Sequence, residues 1–503
     1  MSRPGHVHDE ADFVIVGTGA GGATAARVLA AAGLDVLMLE EGPDLAIEER
    51  PREAVDALRI ALREFGTTTS TGLAPIPFLQ GCIVGGSTAI NSGIIWRMPE
   101  DVRRDWIERF GLGELVDGRG LGRAFEILEE ELEVEPTRAD VLGGNSERMA
   151  LACERLGLPG KPITRNARRC VGSNQCLQGC PERARQSMDN SYVPRARRDG
   201  ARLRDLMRVE QVVIEDGRAT GVRGQTLDKV TRRPVGSFEV HARRAVIVSG
   251  GAIQTPVLLR RSGLRGMVGE RFQAHPGAAI VGRFPDAPVG MGYGATQGYE
   301  VPMRERGFKI ESLSLPPEML ATRIAGVGPE WQERLAHLDQ FAQWAVQSRF
   351  KAQGSVRPGL FGGARVSYAP LPSDVRQIQE ALALMVRMMF AAGASEVYPG
   401  LGGGIPDVLT SPEQADLIAN LKPKPGDIHL VASHLFGTAC ASSDPKKGAV
   451  RPDLMSWEVR DLYVMDACVF PTNMGVNPQH SIMAVVWRAA ERLANQERLA
   501  KSA

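Results

Sequence analysis

The sequence predicts an α/β chain, α+β overall, in which a Rossmann-like dinucleotide-binding domain holds an interleaved antiparallel-sheet substrate domain. Three observations carry this. An apolar run at residues 12–16 ends in glycines and leads through an Ala-rich stretch to a second apolar run at 36–39. Residues 202–242 alternate and carry turn signals, the pattern of antiparallel strands. A further apolar run at 245–249 closes on Gly250-Gly251.

Taken in order, residues 12–16 read as a buried parallel strand. Residues 22–32 form an Ala-rich helix that Gly33 stops. Residues 36–39 form the second strand and end at Glu40. Strand, glycine turn, helix and strand make a βαβ unit with a right-handed crossover. Segments 100–160 and 375–395 have helical spacing with charged faces. Residues 202–220 and 220–242 are antiparallel strands, and 275–370 is rich in Gly, Pro and short strand-like runs. No internal repeat is visible.

The chain has 503 residues, 60 Lys+Arg against 59 Asp+Glu, and a formal charge of +1. This balance excludes a nucleic-acid binder that relies on bulk positive charge. Seven Cys cannot all pair, so a reducing, cytoplasmic setting is expected. Residues 1–12 lack signal-peptide character, and no apolar run reaches the roughly 18 residues of a membrane span, so no integral membrane segment is expected.

Gly17-Thr18-Gly19-Ala20-Gly21-Gly22 fits G-x-G-x-x-G. Gly17 permits the turn, Gly19 lets backbone approach a pyrophosphate, and Gly22 lets helix and strand pack closely. The helix N-terminus offers N–H groups and partial positive charge to the phosphates. Glu40 stands where an acid accepts from a ribose hydroxyl pair, which argues against a 2′-phosphate. The motif by itself does not choose between FAD and NAD. A second cluster, residues 80–91 (QGCIVGGSTAIN), reads alone as a tight turn packed on the sheet.

Together with residues 249–256 (SGGAIQTP) and the tail DACVFPTNMGVNPQHSIMA, these blocks resemble the glucose–methanol–choline oxidoreductases, FAD-dependent enzymes that oxidise alcohols. The resemblance spans residues 12–495 and is weakest between about 280 and 420. It implies an FAD-binding domain built from residues 1–45, 76–100, 200–272 and 425–503. The substrate domain and insertions would then be 46–75, 101–199 and 273–424. By resemblance, Gly17, Gly19 and Gly22 hold the FAD pyrophosphate, Glu40 the adenosine ribose, and Val209 meets the adenine. Gly85, Gly86, Ser87 and Asn91 approach the pyrophosphate and flavin edge, and Asp466 and Ala467 lie against the ribityl chain. The helix after Asn477-Pro478 points its positive end at the flavin's pyrimidine side.

His434, in Ser433-His434-Leu435-Phe436-Gly437-Thr438, matches the family's H-x-x-G-T histidine. Alcohol oxidation releases the hydroxyl proton as hydride leaves for flavin N5, and a neutral imidazole suits that base role. Asn477 matches the second catalytic position, where its amide orients the hydroxyl without titrating. Of the other histidines, His6 and His8 are expected in a disordered tail, His275 in a structural role, and His480 near the pocket. The sequence departs from the family after His434, with Cys440 where Arg-Met-Gly text is usual, and at Cys468, where Ser is usual.

Cys170, Cys176 and Cys180 crowd into eleven residues ending in Cys-Pro. The favoured reading is a structural loop. Its alternative is a set of iron–sulfur ligands, in a flavin/iron–sulfur dehydrogenase subunit that passes electrons to a cytochrome partner. The partners expected otherwise are a small-molecule alcohol, leaning to a polar hydroxylated one, and dioxygen or an external electron acceptor.

Overall fold

The computed structural model describes residues 6–360 and 362–502. The ends of the predicted FAD-binding segments, 1–5 and 503, lie outside them.

The first sheet is ordered Arg202–Arg204, Val36–Leu39, His6–Val16, Pro234–Val248, Arg218–Leu227, Met207–Glu215, with Leu462–Val464 also on Pro234–Val248. His6–Val16 is parallel to both of its neighbours. Pro234–Val248 is long enough to serve two partners. Its first half pairs antiparallel with Arg218–Leu227, and its last residues pair parallel with Leu462–Val464. Both faces of the parallel part are covered, which explains why Phe13, Val14, Ile15, Val246 and Ile247 are all buried. Helix Ala20–Ala31 packs beside Gln479–Ser502, and its buried Ala23, Ala25 and Ala26 permit close approach.

The second sheet is antiparallel, ordered Glu396–Tyr398, Gln273–Arg283, Phe341–Ser348, Phe308–Ser312, Tyr299–Met303, Lys161–Pro162. Val431–Phe436, within the predicted FAD-binding segment 425–503, pairs with Gln273–Arg283 of this sheet. One face is apolar: Ile280, Phe308, Ile310, Trp344 and Val346 are buried with Leu382, Met385 and Met389 of helix Pro372–Ala391. Alternation puts Lys309, Glu311 and Gln347 on the other face, in register as Lys309↔Gln347 and Glu311↔Ala345.

The first strand starts earlier than expected. His6 and His8 are not a disordered tail, because Pro234–Val248 extends far enough to pair with them, as His6↔Ser237 and His8↔Glu239. The helical spacing at 100–160 resolves into Glu100–Phe110, Gly118–Glu131 and Gly144–Leu156.

Candidate active site

The glycine turn lies between the first strand and its helix. The Gly17 N–H donates to Leu39 O at 2.8 Å. Gly17 has φ +96°, and a Cβ there would meet Ser249 O at 2.5 Å, so side chains are excluded twice over. A Cβ on Gly22 would stand 1.9 Å from Gly17 O, whereas one on Gly19 would meet nothing within 4 Å. Gly19 therefore borders open space at a helix N-terminus that has no side-chain cap and no acid in its first turn.

The second cluster docks on this turn through one hydroxyl. The Gly85 N–H donates to Thr18 Oγ1 (3.0 Å), and Thr18 Oγ1 donates to Glu40 Oε2 (2.7 Å). Glu40 also accepts from the N–H groups of Thr18 and Gly42, each at 2.9 Å. Burial pushes its carboxyl up from the ordinary value against the pull of these bonds. Gly86 approaches Gly19 so closely that a Cβ on it would be 3.0 Å from the Gly19 Cα. Ser87 is exposed, and its Oγ accepts from the Gly81 N–H (3.0 Å). Asn91 donates to Gln479 Oε1 (2.7 Å), in the first turn of the last helix.

The tail closes the same region. Asp466 accepts from the Gly251 N–H (2.8 Å), Thr255 Oγ1 (2.6 Å) and the Cys468 N–H (2.8 Å). Ala467 follows at a short helical turn, and Val209 pairs with Gly224 within the first sheet. Asn477 and Pro478 immediately precede Gln479–Ser502, whose first turn carries no acid. Its positive end is left uncompensated by its own sequence.

His434 and Asn477 meet. His434 Nε2 lies 3.5 Å from Asn477 Nδ2. Burial, and then the charge of Lys309, hold His434 down at about 3, so the ring is neutral at ordinary pH. On its other side, Nδ1 lies 3.4 Å from His275 Nδ1, with the rings edge to face. The Gly475 N–H donates to His275 Nε2 at 3.0 Å. That contact favours the neutral His275 proton on Nδ1, so that His434 accepts on Nδ1 and carries its own proton on Nε2 at rest, where it faces the Asn477 amide nitrogen as donor to donor, without a hydrogen bond between them.

Behind Asn477 stands Lys309, with 2 % side-chain exposure. Its Nζ donates to Asn477 Oδ1 and to Glu300 Oε2 (3.1 Å), and ion-pairs with Glu311 Oε1 at 2.5 Å. Glu311 Oε2 also takes the side-chain N–H groups of Gln297 and Gln347, each at 2.7 Å. Glu300 Oε2 takes the Trp96 indole N–H (3.2 Å). Although burial opposes its charge, the two carboxylates raise the ammonium above its ordinary value.

Sequence reasoning did not assign Lys309, Glu300 or Glu311 to the site, and it gave His275 only a structural role. Strand register alone makes them neighbours of the pair. His480, expected near the pocket but outside the catalytic pair, is fully buried, stacked on Phe125 and 3.3 Å from Glu129 Oε1. Cys440 donates to Gly437 O, and burial pushes its thiol up to about 12.

The three clustered thiols are free. Arg165 reaches two of them, Cys176 Sγ at 3.2 Å and Cys170 Sγ at 3.9 Å, while Cys180 Sγ accepts from the Arg185 N–H at 3.5 Å. Burial raises the Cys176 thiol, but the charges of Arg165 and Arg185 outweigh it and leave it below its ordinary value. Among the described residues, no group of three or more His, Cys, Asp or Glu is arranged to hold a metal ion, and no helix is long and apolar enough to cross a membrane.

A glycine turn at an uncapped helix N-terminus and the His434/Asn477 pair beside a second sheet suit a nucleotide-dependent oxidoreductase. The chain belongs to the GMC oxidoreductase family, whose two models match residues 11–277 and 362–485. FAD is its cofactor, as in the family and its solved structural neighbours. It is 37 % identical over 487 residues to the uncharacterised GMC-type oxidoreductase Rv0492c of Mycobacterium tuberculosis, covering 96 % of this chain and 75 % of that one. It is 26 % identical to the long-chain-alcohol oxidase FAO1 of Arabidopsis thaliana, covering 96 % and 67 %. Two solved structures share the fold. A variant formate oxidase of Aspergillus oryzae has TM-score 0.74 and 17 % identity, with 98 % and 99 % coverage. Pyridoxine 4-oxidase has TM-score 0.69 and 16 % identity, with 97 % and 99 % coverage.

Proposed function

We propose that this oxidoreductase converts an alcohol to an aldehyde or ketone and passes the electrons to dioxygen or an external acceptor. The observation that carries the reading is the convergence of His434 and Asn477, from separate segments, at 3.5 Å. Alcohol oxidases among the relatives agree with it.

The residues present fit FAD. Gly19 borders open space at an uncapped helix N-terminus, which suits a pyrophosphate. Gly17 and Gly22 shape that turn, and Glu40 would take the adenosine ribose, with Val209 at the adenine. Gly85, Gly86, Ser87 and Asn91 would hold the pyrophosphate and flavin edge, and Asp466 and Ala467 the ribityl chain. The backbone entering the last helix at Asn477-Pro478 would face the flavin ring. When bound, FAD supplies the two-electron acceptor for the hydride.

The chain's own part is to hold the hydroxyl and take its proton. Asn477 donates an amide N–H to the alcohol oxygen, which strengthens as negative charge develops there. His434 Nε2 takes the hydroxyl proton. This requires the tautomer in which His434 donates Nδ1–H to His275 and Gly475 loses its acceptor, an exchange costing about one hydrogen bond, ~1–2 kcal/mol. The low proton affinity of the half-buried ring keeps it neutral and available before the reaction.

The test is anaerobic titration of the purified flavoprotein with ethanol, 1-octanol, 1-hexadecanol, glycerol, glucose, myo-inositol, pyridoxine and cholesterol. At least one should bleach the oxidised-flavin band. A protein that takes up NAD and no FAD contradicts the reading.

A further inference from the structure

Lys309 lies outside every role assigned so far. It is buried, bonded to Asn477 and held by two carboxylates on its own sheet. With 2 % side-chain exposure it has no surface to offer a substrate, so whatever it does at the reaction it does through a neighbour.

An ammonium has donors and no acceptor. Its partner on the Asn477 amide must therefore be the oxygen, which settles an orientation that an isolated amide leaves open. With Oδ1 taken from behind, Nδ2 is the end that stands beside His434 Nε2, at 3.5 Å. Lys309 itself has little freedom to move. Glu311 is fixed by Gln297 and Gln347, Glu300 by Trp96, and the strand Phe308–Ser312 is paired on both edges.

We propose that Lys309 is a positioning residue that locks the Asn477 amide with its N–H groups toward the reacting oxygen. The inference rests on the reading of His434 and Asn477 as the pair that holds the alcohol. It assigns the direction of both hydrogen bonds: Asn477 donates to the oxygen, and the hydroxyl donates to His434. Were the amide free to turn over, its oxygen would compete with His434 for the hydroxyl proton and offer nothing to the developing negative charge.

The test is a double-mutant cycle on anaerobic flavin reduction in the holoenzyme, using the fastest alcohol of the panel above. Lys309→Met is combined with Glu311→Gln so that fewer unpaired carboxylates are left buried. Flavin content and melting temperature establish that each variant is folded and loaded. The Lys309→Met/Glu311→Gln protein should lose about 10- to 100-fold in the limiting rate of reduction, with little change in apparent alcohol affinity. In the Asn477→Ala background the same pair of changes should cost almost nothing, since the lever they act on is gone. Full additivity with Asn477→Ala overturns the inference, as does a loss confined to apparent affinity. A normal rate in Asn477→Ala itself contradicts the underlying reading of the pair instead. A second readout is independent of turnover. In protein labelled with 15N at asparagine side chains, the Asn477 Nδ2 hydrogens should show strong cross-relaxation with the His434 ring protons while Lys309 is present, and weaker cross-relaxation in the variant, whose amide can turn over. Identical behaviour in the two proteins also overturns the inference. If the paired variant does not fold, Lys309→Arg, which keeps a donor, should retain a donor-fixed amide and the larger part of the rate. A rate as low as that of Asn477→Ala in folded Lys309→Arg overturns the inference as well.

Discussion

His434 Nε2 and Asn477 Nδ2 stand 3.5 Å apart, one on the strand Val431–Phe436 of the second sheet and the other at the entrance to the last helix. The pair thus spans the two halves of the molecule, and its geometry depends on how Gln273–Arg283 aligns with both. Gln273 binds Pro471 O and the Asn473 N–H, tying that strand to the segment leading to Asn477.

Because His434 titrates at about 3 rather than 6.5, the limiting rate of flavin reduction should be flat from about pH 5 to 8. The stability consequence has a fixed sign. The unfolded chain binds this proton more readily, so stability present above pH 6.5 is lost as the pH falls toward 3. His275 and His480 are also depressed by burial and act in the same direction. Melting temperature should fall over that window, and less steeply in His434→Asn. An equal slope in the variant contradicts the assignment.

Two glycines of one motif should fail differently. Gly22→Ala forces a Cβ to 1.9 Å from Gly17 O, so it should lower the melting temperature or prevent folding. Gly19→Ala meets nothing within 4 Å and sits at φ −65°. It should fold normally as apoprotein yet bind FAD at least ~10-fold more weakly, by intrusion on the phosphates. Unchanged FAD affinity in Gly19→Ala contradicts the cradle.

The facing Nδ1 atoms of His275 and His434 share one proton, and the Gly475 N–H decides which ring owns it. Nitrogen-15 shifts of labelled histidine should show the resting His434 protonated on Nε2. Protonation on Nδ1 at rest contradicts the Gly475 contact.

How much of this was legible in the sequence follows from distance along the chain. The glycine turn, its helix and Glu40 lie within one βαβ unit, so local spacing suffices to find them. His434 and Asn477 were found by resemblance to a family pattern, since nothing in their local sequence announces a base. Lys309, Glu300 and Glu311 were missed because only the register of Tyr299–Met303, Phe308–Ser312 and Phe341–Ser348 makes them one cluster. Alternation shows that Lys309 and Glu311 share a face, but not that the face is buried against Asn477. His6 and His8 were misread because their polar sequence hides a strand that exists only through the length of Pro234–Val248.

The cysteine loop carries its own prediction. With the Arg165 guanidinium on Cys176 and Cys170, protein purified without oxygen should contain no stoichiometric iron and should keep its flavin reduction when Cys176 is replaced by Ser. Stoichiometric iron with labile sulfide would restore the electron-transfer alternative.

The central claim is that His434 takes the proton as the alcohol gives up its hydride. The most direct measurement compares the anaerobic rate of flavin reduction in the wild type and in folded, FAD-loaded His434→Ala, using the fastest alcohol of the panel. A drop of about 10²- to 10⁴-fold is the predicted result. Equal rates in the two proteins would contradict the account.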